Sequence, residues 1–120
     1  MRKRIIISGI SGFLAVALGA FGAHGLKSQL TPEMLEIYKT GVFYHLIHSV
    51  VLLAIGLSNL QKFNKSAIFI SIGILLFSFS LYLYSVTAVK FFAFVTPFGG
   101  VSFLIGWVLV VYEGVNHRLH

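Results

Sequence analysis

The sequence lacks cysteine and has little charge: only three of its 120 residues are acidic, and charged residues make up 10% of the chain. The absence of cysteine excludes disulfides, thiolate metal ligands, iron–sulfur clusters and a cysteine nucleophile. Paired carboxylates, Ser-His-acid arrangements, phosphate-binding loops and zincin motifs are absent as well. We therefore expect a protein without enzymatic activity and without a cofactor.

Apolar residues dominate what is there, at 58% of the chain, and the charged side chains are confined to the ends and to three short connecting segments. A water-soluble domain needs more polar residues to cover its surface. Four apolar runs, at about residues 5–23, 41–60, 66–86 and 97–113, approach the ~20 residues with which a helix crosses the hydrocarbon core. The predicted fold is all-α, an integral membrane four-helix bundle in which residues 1–120 form a single membrane domain.

The basic residues predict the orientation of these helices, because short loops rich in Lys and Arg stay in the cytoplasm. Alternating spans place Arg2, Lys3, Arg4, Lys62, Lys65 and Arg118 on one side and Lys27, Lys39 and Lys90 on the other. This excess predicts that both termini are cytoplasmic. Because the basic residues are dispersed among segment ends, the net charge of +6 does not indicate a nucleic-acid partner.

Two prolines mark predicted helix starts. Thr31, Pro32 and Glu33 are typical of an N-cap, a first helical position and a favourably placed acid. A short helix over residues 32–40 can lie on the outer surface or run straight into the second span, and the sequence leaves both alternatives open. Thr96 and Pro97 repeat the same signal and predict the start of the fourth span.

Small side chains recur at helical spacing on two of the spans. They are Ser8, Gly12, Ala15, Gly19 and Gly22 on the first, and Gly99, Ser102 and Gly106 on the fourth. Such faces let helix backbones approach closely, which is how helices associate in lipid. The first face also argues against a rival interpretation of the N-terminal run as a cleaved secretory signal, since a discarded peptide has no use for a packing surface.

Polar side chains within the spans are the candidate site residues, because polar groups are costly in lipid. His45 and His48 share one side of the second span, about 6 and 10 Å below its predicted outer end. His24 closes the first span on the same side. The other members of this predicted outer cluster are Tyr82, Tyr84, Ser85 and Thr96. Hydrogen bonding between helices is the favoured role, and ligation of a metal or haem by the imidazoles is the alternative.

Glu113 is the only acid within or beside a predicted span. A deeper carboxylate would suggest proton transport. Its place at the cytoplasmic end of the fourth span, near several basic residues, predicts an interfacial ion pair or a water-exposed group instead.

Several short motifs together resemble the YgdD/YwdK family of small bacterial inner-membrane proteins, which is classed as a domain of unknown function. They are Ile10-Ser11-Gly12-Phe13, Gly19-Ala20-Phe21-Gly22-Ala23-His24, Thr40-Gly41 with Tyr44 and His48, Leu76-Phe77-Ser78 with Ser80-Leu81-Tyr82, and Val95-Thr96-Pro97 with Gly99-Gly100 and Gly106-Trp107. The resemblance runs almost end to end and implies four spans in the inner membrane without an assigned activity. It singles out His24, Tyr44, His48, Ser80, Tyr82, Thr96 and Pro97 for a shared role. The chain departs from the family pattern at His45, where glutamine is expected, and at Phe79, where glycine is usual.

Three functional hypotheses follow from the sequence. The leading one is a membrane component that binds a partner helix, a lipid or an apolar small molecule near the outer leaflet. The alternative is a small-solute transporter or channel built from several copies, because four short spans can line a path only at a shared interface. The third is histidine-based metal or haem binding. Membrane lipid is the expected partner, together with a homo-oligomer or a larger membrane complex.

Overall fold

The structure, a computed structural model, describes residues 2–116, with side chains from residue 3 onward. His117 and His120, which the sequence predicts to be solvated, lie outside the described residues. Within the described part the chain is helical nearly throughout and contains no strand. Four helices are long and apolar enough to cross a membrane, which confirms the predicted all-α fold.

The four membrane-length helices are named spans 1 to 4. They comprise Lys3–Leu26, Pro32–Ser58, Gln61–Thr87 and Lys90–Val115. Span 1 ends in a π-helical turn, Gly22–Leu26. Span 3 begins with a 3-10 turn, Gln61–Phe63, and contains a second π-helical turn, Ile74–Ser78, at its centre.

Span 2 begins at Pro32 and continues without a break to Ser58, so the short segment over residues 32–40 is its first part and not a separate surface helix. The Thr31 hydroxyl accepts a hydrogen bond from the Met34 backbone N–H at 3.1 Å, as an N-cap should. Of the two alternatives that the sequence leaves open, the structure has the continuous helix.

The prediction that the fourth span begins at Pro97 is wrong. Span 4 begins at Lys90 and carries Pro97 in its interior. The Thr96 side chain is not the N-cap of this helix. Its hydroxyl donates backwards to the Phe92 carbonyl at 3.2 Å, which places it within an already formed helix. The span has 26 residues and is therefore about 39 Å long, well above the roughly 28 Å that a start at Pro97 and the same end at Val115 would give.

The helices pack in chain order, each against the next. Span 1 lies on span 2, span 2 contacts span 3, and span 3 contacts span 4. The central apolar core joins spans 2, 3 and 4 and consists of Leu52, Ile55, Ala67, Ile70, Ile74 and Phe103. Span 1 contributes nothing to this core. Its outer position leaves an open groove between spans 1 and 3.

The start of span 1 and the last part of span 4 lie at the same end of the bundle. Arg4 of span 1 donates to the Leu60 carbonyl at 3.3 Å, beyond the end of span 2. Val110 of span 4 lines a cavity with Ser58 and Phe63 at that same end. The predicted cytoplasmic location of this end stays a prediction, since no membrane defines its sides.

Candidate functional site

The buried polar site of the molecule centres on His45, which is 0% exposed. Since span 2 begins at Pro32 and ends at Ser58, His45 is its central residue, about 20 Å from its start. The prediction that His45 and His48 lie close to the outer end of this span is therefore wrong. The helix extends about two and a half turns beyond the apolar run from which that depth was counted.

Both imidazole nitrogens of His45 are hydrogen-bonded. Nδ1 lies 2.8 Å from the Tyr82 hydroxyl, and Nε2 lies 3.1 Å from the Ser11 hydroxyl. The Ser11 hydroxyl is also 2.6 Å from that of Ser49, which donates to the His45 carbonyl at 2.7 Å. Spans 1, 2 and 3 therefore meet in one continuous hydrogen-bond chain.

The direction of every hydrogen bond in this chain follows by elimination. Ser49 uses its proton on a carbonyl, so it must accept from Ser11. Ser11 then accepts from His45 Nε2–H, and because a neutral imidazole carries a single proton, Nδ1 is the acceptor of the Tyr82 O–H. His45 is therefore assigned as the neutral Nε2–H tautomer, with all its hydrogen-bonding capacity satisfied.

His48 faces a different neighbour, span 4. Its Nδ1 lies 2.7 Å from the Tyr44 carbonyl, which can only accept, so Nδ1 carries the proton. Nε2 then accepts from the Trp107 indole N–H at 3.1 Å. The imidazole stacks on the Phe103 ring with centroids 3.8 Å apart and planes 14° apart. His48 is thus the opposite neutral tautomer to His45.

The two histidines do not converge on a common ligand position. His45 is held between spans 1 and 3, whereas His48 is held against span 4, and each uses both nitrogens in hydrogen bonds. His24 is exposed in the π-helical turn of span 1 and takes no part in either group. Among residues 2–116, no three His or acidic side chains are grouped as a metal site would require.

Two of the remaining predicted polar residues, Ser80 and Thr96, form a second, smaller contact between spans 3 and 4. The Ser80 and Thr96 hydroxyls lie 2.6 Å apart. Tyr82 belongs to the His45 chain, and Tyr44 and Pro97 border a cavity of about 430 Å³ beside His48. The structure therefore does not bring the predicted outer cluster together in one place.

The small residues of span 1 face span 2. Gly12, Gly19 and Gly22 lie opposite Ser49, Val42 and Tyr38 in turn. Ala15 is fully buried, and Ser8 is buried with its hydroxyl donating to the Ile5 carbonyl at 2.8 Å. The groove side of span 1 is consequently left to its larger apolar residues.

The small residues of span 4 face span 3. A methyl group added at Gly99 would overlap the Phe77 backbone, and one added at Gly106 would lie 2.7 Å from Ile70. The Ser102 hydroxyl donates to the Phe69 carbonyl at 2.6 Å. Gly99 therefore places the backbone of span 4 directly against the central π-helical turn of span 3.

Glu113 is half-buried near the end of span 4. The salt bridge found among the described side chains, Lys39 with Glu36 at 3.7 Å, lies elsewhere and is exposed. The ion pair expected for Glu113 stays a prediction.

The groove between spans 1 and 3, named the 1/3 groove, was not anticipated from the sequence. It has an inner half of about 250 Å³ beside Ser11 and His45 and a second half of about 400 Å³ that reaches Arg4 and Asn64. Both halves are lined by Ile7, Leu52, Ser71 and Leu75, so they form one continuous surface. Span 2 forms its floor.

Sequence reasoning also missed Ser11, Ser49 and Trp107 as partners of the two histidines. A signal existed for two of them. Ser49 lies one helical turn after His45, and Ser11 lies one turn after Ser8 near the small-residue face of span 1. Trp107 could not be paired with His48 from spacing, because the contact depends on how span 4 packs.

Four apolar helices of 24 to 27 residues define a multi-pass helical membrane protein. Residues 18–100 match the family model described as a protein of unknown function, DUF423. The UPF0382 membrane protein YwdK of Bacillus subtilis is 40% identical over 98% of this chain and 99% of its own length. The UPF0382 inner membrane protein YgdD of Escherichia coli K12 is 38% identical over 98% of both chains. A UPF0382 membrane protein of Haemophilus influenzae is 42% identical over 97% of this chain and 96% of its own.

The chain belongs to the DUF423 family of small membrane proteins, as the sequence motifs indicated. The names of its relatives and its four apolar helices confirm the predicted multi-pass location in the bacterial inner membrane. No solved structure matches the chain.

Proposed function

We propose that this protein is a non-enzymatic membrane component that binds a membrane lipid in the 1/3 groove. The observation that carries the proposal is the groove itself. Its mainly apolar surface is continuous, and its two walls, spans 1 and 3, face each other across an open gap. Cavities of several hundred Å³ lined by apolar side chains and few polar groups are typical of small-molecule sites.

The side chains of the groove suit an acyl chain better than a partner helix. Its walls carry large branched residues such as Ile7, Ile68 and Leu75. Helices that associate in lipid prefer small residues that allow close backbone approach. In this protein the small faces of spans 1 and 4 are already used internally, against spans 2 and 3. A flexible hydrocarbon chain can follow the irregular surface that remains.

The buried polar groups support a packing role for the histidines and give no motive for a conduction path or a metal centre. Each imidazole has both nitrogens engaged by neighbouring helices. The His45 chain ties together spans 1, 2 and 3 and so fixes the separation between the walls of the groove.

Native mass spectrometry after mild detergent extraction tests the proposal. Leu75 is 61% exposed and lines both halves of the groove, so Leu75→Trp should fill it. Val108 is 64% exposed on span 4, away from the groove, and Val108→Trp is the matched control. We expect wild type and Val108→Trp to retain a phospholipid and Leu75→Trp to lose about tenfold in occupancy, equivalent to about 1.4 kcal/mol. Wild type without lipid, or equal occupancy in all three proteins, would contradict the proposal.

A further inference from the structure

The 1/3 groove has a charged end. Arg4 at the start of span 1 and Asn64 at the start of span 3 both line it there. The Arg4 guanidinium donates one hydrogen bond, from Nη1 to the Leu60 carbonyl at 3.3 Å. Its Nη2 is buried and has no hydrogen-bond partner. A cationic donor thus lines a mainly apolar groove with part of its hydrogen-bonding capacity unused.

An unpaired guanidinium nitrogen away from water is an unfavourable arrangement, because the group loses hydration and gains nothing in return. The guanidinium offers donors in a planar fork that matches the oxygens of a phosphate. Arg4 as a residue is only half-buried and lines the groove, so its guanidinium is accessible from there in part. An anion at this position would satisfy it.

The surroundings of Arg4 favour an anion too. Lys3 and Lys65 are exposed next to the two groove residues, Arg4 and Asn64. Span 3 starts at Gln61, and its preceding residue, Leu60, supplies no side-chain cap, so the helix N-terminus adds its own positive potential. Glu113, the acid nearest the C-terminal end of span 4, does not line the groove.

We propose that the lipid of the 1/3 groove is an anionic phospholipid, with its phosphate held by Arg4 and an acyl chain lying along Ile7, Ser71 and Leu75. This inference rests on the proposed function and adds the headgroup chemistry to it. The groove has a positive charge at one end, at Arg4, and apolar walls along the rest of its length. A phospholipid has the matching arrangement, with a phosphate at one end and hydrocarbon chains beyond it. A free phosphate ion would contact Arg4 but would leave the apolar part of the groove without a role.

The test compares two lipids with identical acyl chains, dioleoyl-phosphatidylglycerol and dioleoyl-phosphatidylcholine, titrated into the detergent-solubilised full chain and followed by native mass spectrometry. We expect wild type to prefer phosphatidylglycerol roughly tenfold. Both lipids carry a phosphodiester, but the choline ammonium cancels its charge in phosphatidylcholine, so only phosphatidylglycerol brings a net negative charge to Arg4. Arg4→Gln should lose this preference, because without the guanidinium charge the net charge of the headgroup no longer affects binding at this site. Arg4→Lys, which keeps the charge without the fork, should retain part of it.

Lys3→Gln is the matched control. It also removes one positive charge, but from an exposed side chain that neighbours Arg4 in sequence and does not line the groove. We expect it to keep the wild-type preference within about twofold. Equal preference in Arg4→Gln and wild type, or equal losses in Arg4→Gln and Lys3→Gln, would overturn the headgroup site. Neither outcome would affect the proposed function, which fails instead if wild type holds no lipid or if Leu75→Trp binds both lipids as wild type does. Inorganic phosphate added at millimolar concentration should not displace phosphatidylglycerol, and displacement would show that the site recognises free anions instead.

Discussion

Removal of the Tyr82 hydroxyl probes the hydrogen-bond chain on which the separation of spans 1, 2 and 3 depends. In Tyr82→Phe the Nδ1 atom of His45 loses the donor that lies 2.8 Å away, at a position that is 0% exposed. A buried acceptor left unpaired costs about 1 to 3 kcal/mol in soluble proteins. Hydrogen bonds between membrane helices are worth less, about 0.6 kcal/mol on average and about 1.7 at most. We expect a loss near the upper end, about 1.5 kcal/mol, because His45 is completely buried.

The assay is the free energy of unfolding from denaturing-detergent titration of purified protein, followed by circular dichroism. Tyr84→Phe is the control, because Tyr84 lies on the same helix and its hydroxyl has no hydrogen bond within the described structure. Ser11→Ala should cost a similar amount, since it removes the acceptor of His45 Nε2–H. The double variant should lose at least about 0.5 kcal/mol less than the sum of the single variants, because one imidazole joins both bonds. If the losses in unfolding free energy were strictly additive, or if Tyr82→Phe were as stable as Tyr84→Phe, the continuous hydrogen-bond chain would be refuted.

Three further predictions concern other parts of the structure. In ¹⁵N-histidine NMR, His45 should give the signature of the neutral Nε2–H tautomer and His48 that of the Nδ1–H tautomer, and identical tautomers would contradict the assigned network. Gly99→Ala should lower the free energy of unfolding by about 1 to 3 kcal/mol, because the new methyl meets the Phe77 backbone, whereas Gly9→Ala, with open space around it, should gain up to about 1 kcal/mol from helix propensity. Equal effects at the two glycines would argue against the close approach of spans 3 and 4. Trp107→Phe should cost about 1 kcal/mol by leaving His48 Nε2 unpaired, while in a His48→Leu background the same change should cost clearly less.

The number and class of the helices could be predicted from the sequence, because a helix that crosses the bilayer must be long and apolar whatever it packs against. The ends of the spans could not. Span 2 includes Glu33, Glu36 and Lys39, and span 4 begins at Lys90, so both extend beyond their apolar runs into polar sequence. A helix is not bound to stop where its hydrophobic stretch does, since polar side chains at its ends can reach the interface.

The two histidines show why the site was only partly predictable. Helical spacing correctly places His45 and His48 on neighbouring parts of span 2. Residues three apart still differ by about 60° in direction, which is enough for two different helices to take one each. Phe79 also contacts His45, with ring centroids 5.3 Å apart, which the spacing of residues on span 2 could not show. The 1/3 groove had no sequence signal, because it depends on span 1 packing beside span 2 without reaching span 3.

The most direct test of the central claim is site-specific photo-crosslinking in native membranes. A diazirine amino acid is placed at Leu75, inside the 1/3 groove, or at Val108, on the open face of span 4, and the chain is analysed by mass spectrometry after irradiation. We predict that Leu75 yields one dominant phospholipid adduct that withstands washing with detergent before irradiation, whereas Val108 loses its lipid adducts on washing. Adducts of equal yield and equal sensitivity to washing at both positions would contradict the account, because the groove would then be no more than ordinary lipid-facing surface.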